Sequence, residues 1–171
     1  MATAHFSWPK YVVGDAPNGP VQTGALADAI DTSLWALVGT WQAWTPAITA
    51  STTPVIMGTS AVTTGMYVTL GKLVIARFDI TFGTAGTGCG AGTYSINLPV
   101  NCSVGNPSVM MGSTYLFDAS TGGVNLAATR PNTTSSIGLH AHGQLSVVAA
   151  TVPWVWDAND AIRGLILYEA A

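Results

Sequence analysis

Only one stretch of this chain keeps a helical period, and the rest is written in short runs broken by glycine and proline. In residues 23–38, Leu26, Ile30, Leu34 and Val38 recur every four positions, joined by Leu37, while Asp28 and Asp31 fall off that stripe. Thr23 offers a hydroxyl to cap the N-terminus of this helix. From Trp41 onward the period drops to two. In 72–82, Val74, Ala76, Phe78, Ile80 and Phe82 share one face, and Ile75, Arg77, Asp79 and Thr81 share the other. Further strands are expected over 93–100, 108–117, 138–151 and 163–169. Turns are expected at Gly58, Gly65, Gly105-Asn106-Pro107, Gly122-Gly123 and 157–160. The pattern predicts a mainly β fold, an antiparallel sandwich of jelly-roll-like form over 41–171. Ahead of it, residues 1–40 form an N-terminal extended arm and one short docking helix.

The arm carries Pro9, Pro17 and Pro20, which exclude a helix over residues 1–21, yet Phe6, Trp8, Tyr11, Val12 and Val13 are apolar. It lies either on a neighbouring molecule or back on its own domain. The helix bears a single apolar stripe and must also dock. Ser33 interrupts a heptad seam, so a self-sufficient coiled coil is not expected. Leu26, Ile30, Leu34 and Val38 are therefore the expected docking interface, on the β domain or at the axis of a trimer.

Charge sharpens that expectation. Only 8% of the residues are charged against 49% hydrophobic, where a soluble domain usually carries about 25% charged. Much of the exterior is then expected to be covered by copies of itself or by partners, helped by a neutral Thr, Ser, Asn and Gly surface. Five basic residues and a net charge of −3 give no basic stripe for nucleic acid. The start, residues 1–8, lacks the basic and apolar regions of a secretory signal. The most apolar stretch, 147–156, is too short to span a bilayer. Synthesis in the cytoplasm without membrane insertion is expected. Cys89 and Cys102 would then be free and mostly buried thiols, although one bridge is conceivable.

No catalytic constellation stands out, so neither an enzyme nor a cofactor is expected. Gly86-Thr-Gly88-Cys-Gly90 superficially matches a dinucleotide fingerprint, but a strand is expected where that motif needs a helix. His140 and His142 would share a strand face and could hold a metal in an oligomer, or could simply be solvated. Asp157, Asn159 and Asp160 read as turn chemistry before a calcium site. Trp154 and Trp156, on one strand face, are candidate glycan contacts; so are Trp41 and Trp44, which flank a break before Pro46. Packing in a core or an interface is the preferred role for all four, since buried anchors are commonly Trp.

Several motifs together resemble minor structural proteins of tailed bacteriophages, especially those infecting actinobacteria. They are Trp41-Gln-Ala-Trp44-Thr-Pro46, Gly65-Met-Tyr67, Gly71-Lys72-Leu-Val-Ile, Gly92-Thr-Tyr94-Ser-Ile96-Asn-Leu98-Pro99-Val100 and Asp160-Ala-Ile-Arg-Gly164-Leu-Ile-Leu-Tyr168-Glu169. The likeness covers about residues 41–169, and Leu26-Ala-Asp28-Ala-Ile30-Asp31 is similar to segments preceding such domains. It implies a virion component assembled in the host cytoplasm: a small β domain on a tail fibre, tail tip or capsid fibre, often trimeric, touching other phage structural proteins. The chain has no shaft, so a knob or capsid decoration subunit suits it better than a long fibre. The alternatives are a module recognising host-surface carbohydrate and, further off, an envelope hydrolase.

Overall fold

The computed structural model describes residues 19–103, 109–143 and 146–171. The arm and the expected turn at Gly105-Asn106-Pro107 lie outside the described residues, apart from Gly19 onward. The chain divides into two compact units, Met1–Thr40 and Trp41–Ala171.

The first unit contains helix α1, Gly19–Val38. It begins four residues before the expected Thr23 cap. Proline does not forbid this start, because Pro20 sits in the first turn, where its missing N–H has no helical partner to lose. The helix ends as a left-handed cap: Gly39 takes φ 63° and its N–H donates to Trp35 O at 3.2 Å.

The second unit is mainly β and antiparallel throughout. Its strands are β1 (Gln42–Trp44), β2 (Ile48–Ala50), β3 (Val62–Leu70), β4 (Leu73–Thr81), β5 (Tyr94–Asn97), β6 (Gly112–Asp118), β7 (Gly123–Thr133), β8 (Ser136–Ala141) and β9 (Ala161–Glu169). They form one nine-stranded sheet in the order β1-β3-β4-β9-β6-β7-β8-β5-β2. The two edge strands, β1 and β2, are consecutive in the chain. Three residues, Thr45, Pro46 and Ala47, join them. A flat sheet of this order would hold its edges about 38 Å apart at the usual strand spacing. The link spans at most about 14 Å. The sheet must therefore curl until its edges meet, and the two layers of the expected sandwich are opposite sides of one continuous sheet.

The inside of the curl is the core. β4 supplies Val74, Ala76, Phe78 and Ile80, all buried, as the alternation predicted. β9 adds Ile162 and Ile166, β6 Leu116, β8 Ile137 and Leu139, and β5 Tyr94 and Ile96. Thr114 and Thr129 are the polar exceptions; their hydroxyls pair with each other at 2.7 Å.

Four strands, β1, β2, β3 and β7, were not evident from the sequence. Gly65 is not a turn: it sits inside β3 opposite Phe78 and Trp44. A Cβ there would strike the Trp44 indole nitrogen, so glycine serves close packing rather than chain reversal. β7 contains Pro131, which a regular strand resists; the register shifts between Pro131 and Thr133, a bulge that tolerates it. The expected strand over 138–151 is cut short. β8 ends at Ala141, and Gly143 turns the chain with φ 75°.

Candidate functional site

The glycan reading of Trp154 and Trp156 is corrected by their placement. Trp156 is 2% exposed and lies within ring-contact range of Phe82, Tyr94 and Trp154. Its indole N–H donates to Val152 O at 3.2 Å. Trp154 is half-buried at 44° to Trp156, and its indole nitrogen is buried without a partner. Residues 154–156 follow an irregular turn rather than a strand, so the two rings never form a shared flat platform.

The acidic turn at 157–160 is a brace. Asp160, 1% exposed, accepts from the backbone N–H of Ala119 at 2.8 Å and of Asp157 at 2.9 Å. It thereby ties the β6–β7 turn to the segment entering β9. Burial raises its pKa, and these two hydrogen bonds oppose the rise. Asp118 accepts from the hydroxyls of Ser120 and Thr121, each at 2.7 Å, and from their backbone N–H groups. Those donors, Ser120 first, hold its carboxyl below the usual range. Both carboxylates thus have their lone pairs engaged by the chain itself.

Cys89 and Cys102 are not bridged by a disulfide; the first is half-buried and the second buried. Cys89 Sγ–H donates to Trp156 O at 2.8 Å, and Tyr94 Oη–H to Cys89 O at 2.7 Å. Burial raises the Cys89 thiol pKa, helped by Asp157 and Asp160, which disfavours the reactive thiolate. Gly88 within the Gly86–Gly90 run, and Ala85 and Ala91 on either side of it, form isolated bridges to Ile56, Thr59 and Thr53, and the chain leads into β5, with no helix to receive a phosphate. His140 is on β8 and His142 in the turn beyond it, so the strand alternation that would aim both imidazoles one way stops between them. Burial, then Arg130, lowers the His140 pKa. No group of three or more His, Cys, Asp or Glu side chains converges on a metal position among the described residues.

Three surfaces remain. One is α1. Leu26 and Ile30 are half-buried, Leu34 is 52% exposed, and Trp35, which the stripe did not include, is 72% exposed. The side chain of Val38 lies outside those described. The second is a groove of about 550 Å³ where the three-residue β1 leaves the first half of β3 uncovered. Trp44, Thr63, Thr64, Arg77, Asp79 and Arg163 line it. Arg163 Nε donates to Asp79 Oδ2 at 2.9 Å, and the Arg77 guanidinium lies 5.7 Å over the exposed Trp41 ring. Arg77 and Asp79 share the outer face of β4, as the alternation predicts, and the ion-pair partner of Asp79 is Arg163, brought alongside by the β4–β9 register. The third is the outer face of β4, β9, β6 and β7, where exposed Leu73, Tyr115, Val124, Leu126, Leu165 and Leu167 stand among Arg77, Asp79, Arg163 and Ser113.

Comparison with protein-family models, with curated proteins and with solved structures finds no match. No helix among the described residues is long and apolar enough to cross a membrane.

Proposed function

We propose that the protein is a structural subunit of a tailed-phage virion, a knob or decoration subunit anchored to the particle through its arm and helix. One observation carries this reading: Val21, Leu34 and Trp35 of α1 are exposed, an apolar surface suited to docking on another molecule. The motif resemblance and the low charge agree with it. The anchoring side chains are Leu26, Ile30 and Leu34 of the stripe, with Trp35 added. Replacing Leu34 and Trp35 together by Asp in the full chain leaves the β domain unchanged and removes the protein from purified particles, read by immunoblot and electron microscopy. Normal loading of L34D/W35D onto particles would refute the anchoring role.

A second reading, recognition of host-surface carbohydrate, is favoured by the groove rather than by Trp154 and Trp156. The exposed Trp41 indole, which meets the groove through Arg77, together with the groove's ion pair and two threonine hydroxyls, is the chemistry that holds a sugar: an apolar ring face and planar polar groups. Trp41→Ala should then abolish adsorption to host cells without changing assembly; unchanged adsorption removes this reading.

A further inference from the structure

We propose that the outer face of β4, β9, β6 and β7 is a subunit interface, covered by the same face of another copy of this chain. The inference rests on the structural-subunit reading but uses a surface separate from the helix. Strand registers place the face. Asp79, Arg163, Tyr115 and Leu126 form one cross-strand row; Arg77, Leu165, Ser113 and Ala128 form the next; Ile75 and Leu167 begin a third. Because side chains alternate, all of these point away from the core. The apolar members run as a diagonal band from Val124 and Phe117, through Leu126 and Tyr115, to Leu165, Leu167 and Leu73. Diagonal neighbours on a sheet face are within reach of one another. The Tyr115 and Phe117 rings already stack, 6.4 Å apart and 10° from parallel.

Area and charge identify the occupant. Leu73, Tyr115, Val124, Leu126, Leu165 and Leu167 are each between 36% and 57% exposed. At roughly 80 Å² apiece they leave roughly 500 Å² of apolar surface in one band, at the top of what a lone domain shows. A standard interface removes about 800 Å² from each partner, and homo-oligomer interfaces are about 65% apolar, hence roughly 520 Å². The band matches that requirement. The outward charges on β4, β9, β6 and β7 are Arg77, Arg163 and Arg130 against Asp79 and Glu169, which leaves a single excess positive charge. Arg163 and Asp79 already neutralise each other. One excess charge is too little to recruit a nucleic acid or an anionic membrane, which are held by clusters of basic residues. Such a face suits a surface as apolar and as nearly neutral as itself, and the chain has one.

Sedimentation velocity and light scattering on the purified full-length protein test this. The wild type is expected to self-associate, and L126D/L165D to dissociate at least a hundredfold more readily. Val155→Asp, on an exposed valine outside the band, should leave association unchanged. Should L126D/L165D prove insoluble, the milder Leu126→Ser is read the same way, with circular dichroism to confirm the fold. A wild type that stays monomeric to high micromolar concentration overturns the proposal, as does an oligomer indifferent to both face variants. An oligomer that fails to load onto particles refutes the anchoring role and leaves this interface standing; a monomer that still loads does the reverse.

Discussion

Thr114 on β6 and Thr129 on β7 are both wholly buried, and their hydroxyls meet at 2.7 Å inside an otherwise apolar core. Replacing Thr114 by Val keeps the shape but strands the Thr129 hydroxyl where water cannot reach it. An unpaired buried hydroxyl costs about 1–3 kcal/mol. Thr129→Ala strands the Thr114 hydroxyl in the same way and adds a small void. For the domain Trp41–Ala171, unfolding entropy of about 2.1 cal/mol/K per residue makes 2 kcal/mol worth about 7 °C in melting temperature. The double variant T114V/T129A has no hydroxyl left to strand. It also relieves the crowding that two methyl groups would suffer at a spacing suited to oxygens, since carbon atoms settle at about 3.5–4.0 Å. The double should therefore be no less stable than the worse single, with a coupling of about 1–2 kcal/mol. Urea unfolding of the four proteins closes the cycle. If the two single losses simply add, within about 0.5 kcal/mol, the pair is not the isolated hydrogen bond described above.

Gly65→Ala should destabilise by about 1–3 kcal/mol, since its Cβ displaces the Trp44 indole from the Phe78 edge; a changed tryptophan emission spectrum at unaltered secondary structure would report that displacement. Asp118 gives a pH signature. Its folded pKa is depressed, so its contribution is complete above the unfolded value of about 3.9 and is lost as pH falls through the folded one. The urea-midpoint gap between wild type and Asp118→Asn should be constant near neutrality and shrink in acid; a gap that widens in acid contradicts the hydrogen bonding.

Local rules decided much of this protein from its sequence. The alternation in β4 is unambiguous because strand geometry sends neighbours to opposite faces: Val74, Ala76, Phe78 and Ile80 are all apolar on one side, while Arg77 and Asp79 mark the other. The helix, the antiparallel turns and the division after Thr40 follow from spacing and from glycine. The local bonds within residues 157–160 were also legible, because Asp and Asn bond to nearby backbone, but the reach of Asp160 to Ala119 was not. Tertiary structure decided the rest. Gly65 has the same local signature whether it turns a chain or makes room for Trp44, and only the β1–β3 register tells which. Trp156 looks like a surface ring beside Trp154 until Phe82 and Tyr94, distant in sequence, close over it. The closure of the sheet depends on β1 and β2 reaching opposite edges, a choice no local preference encodes. The outer apolar band was invisible for the same reason: Leu126, Tyr115 and Leu165 are scattered along the chain, and hydrogen-bond register alone makes them neighbours.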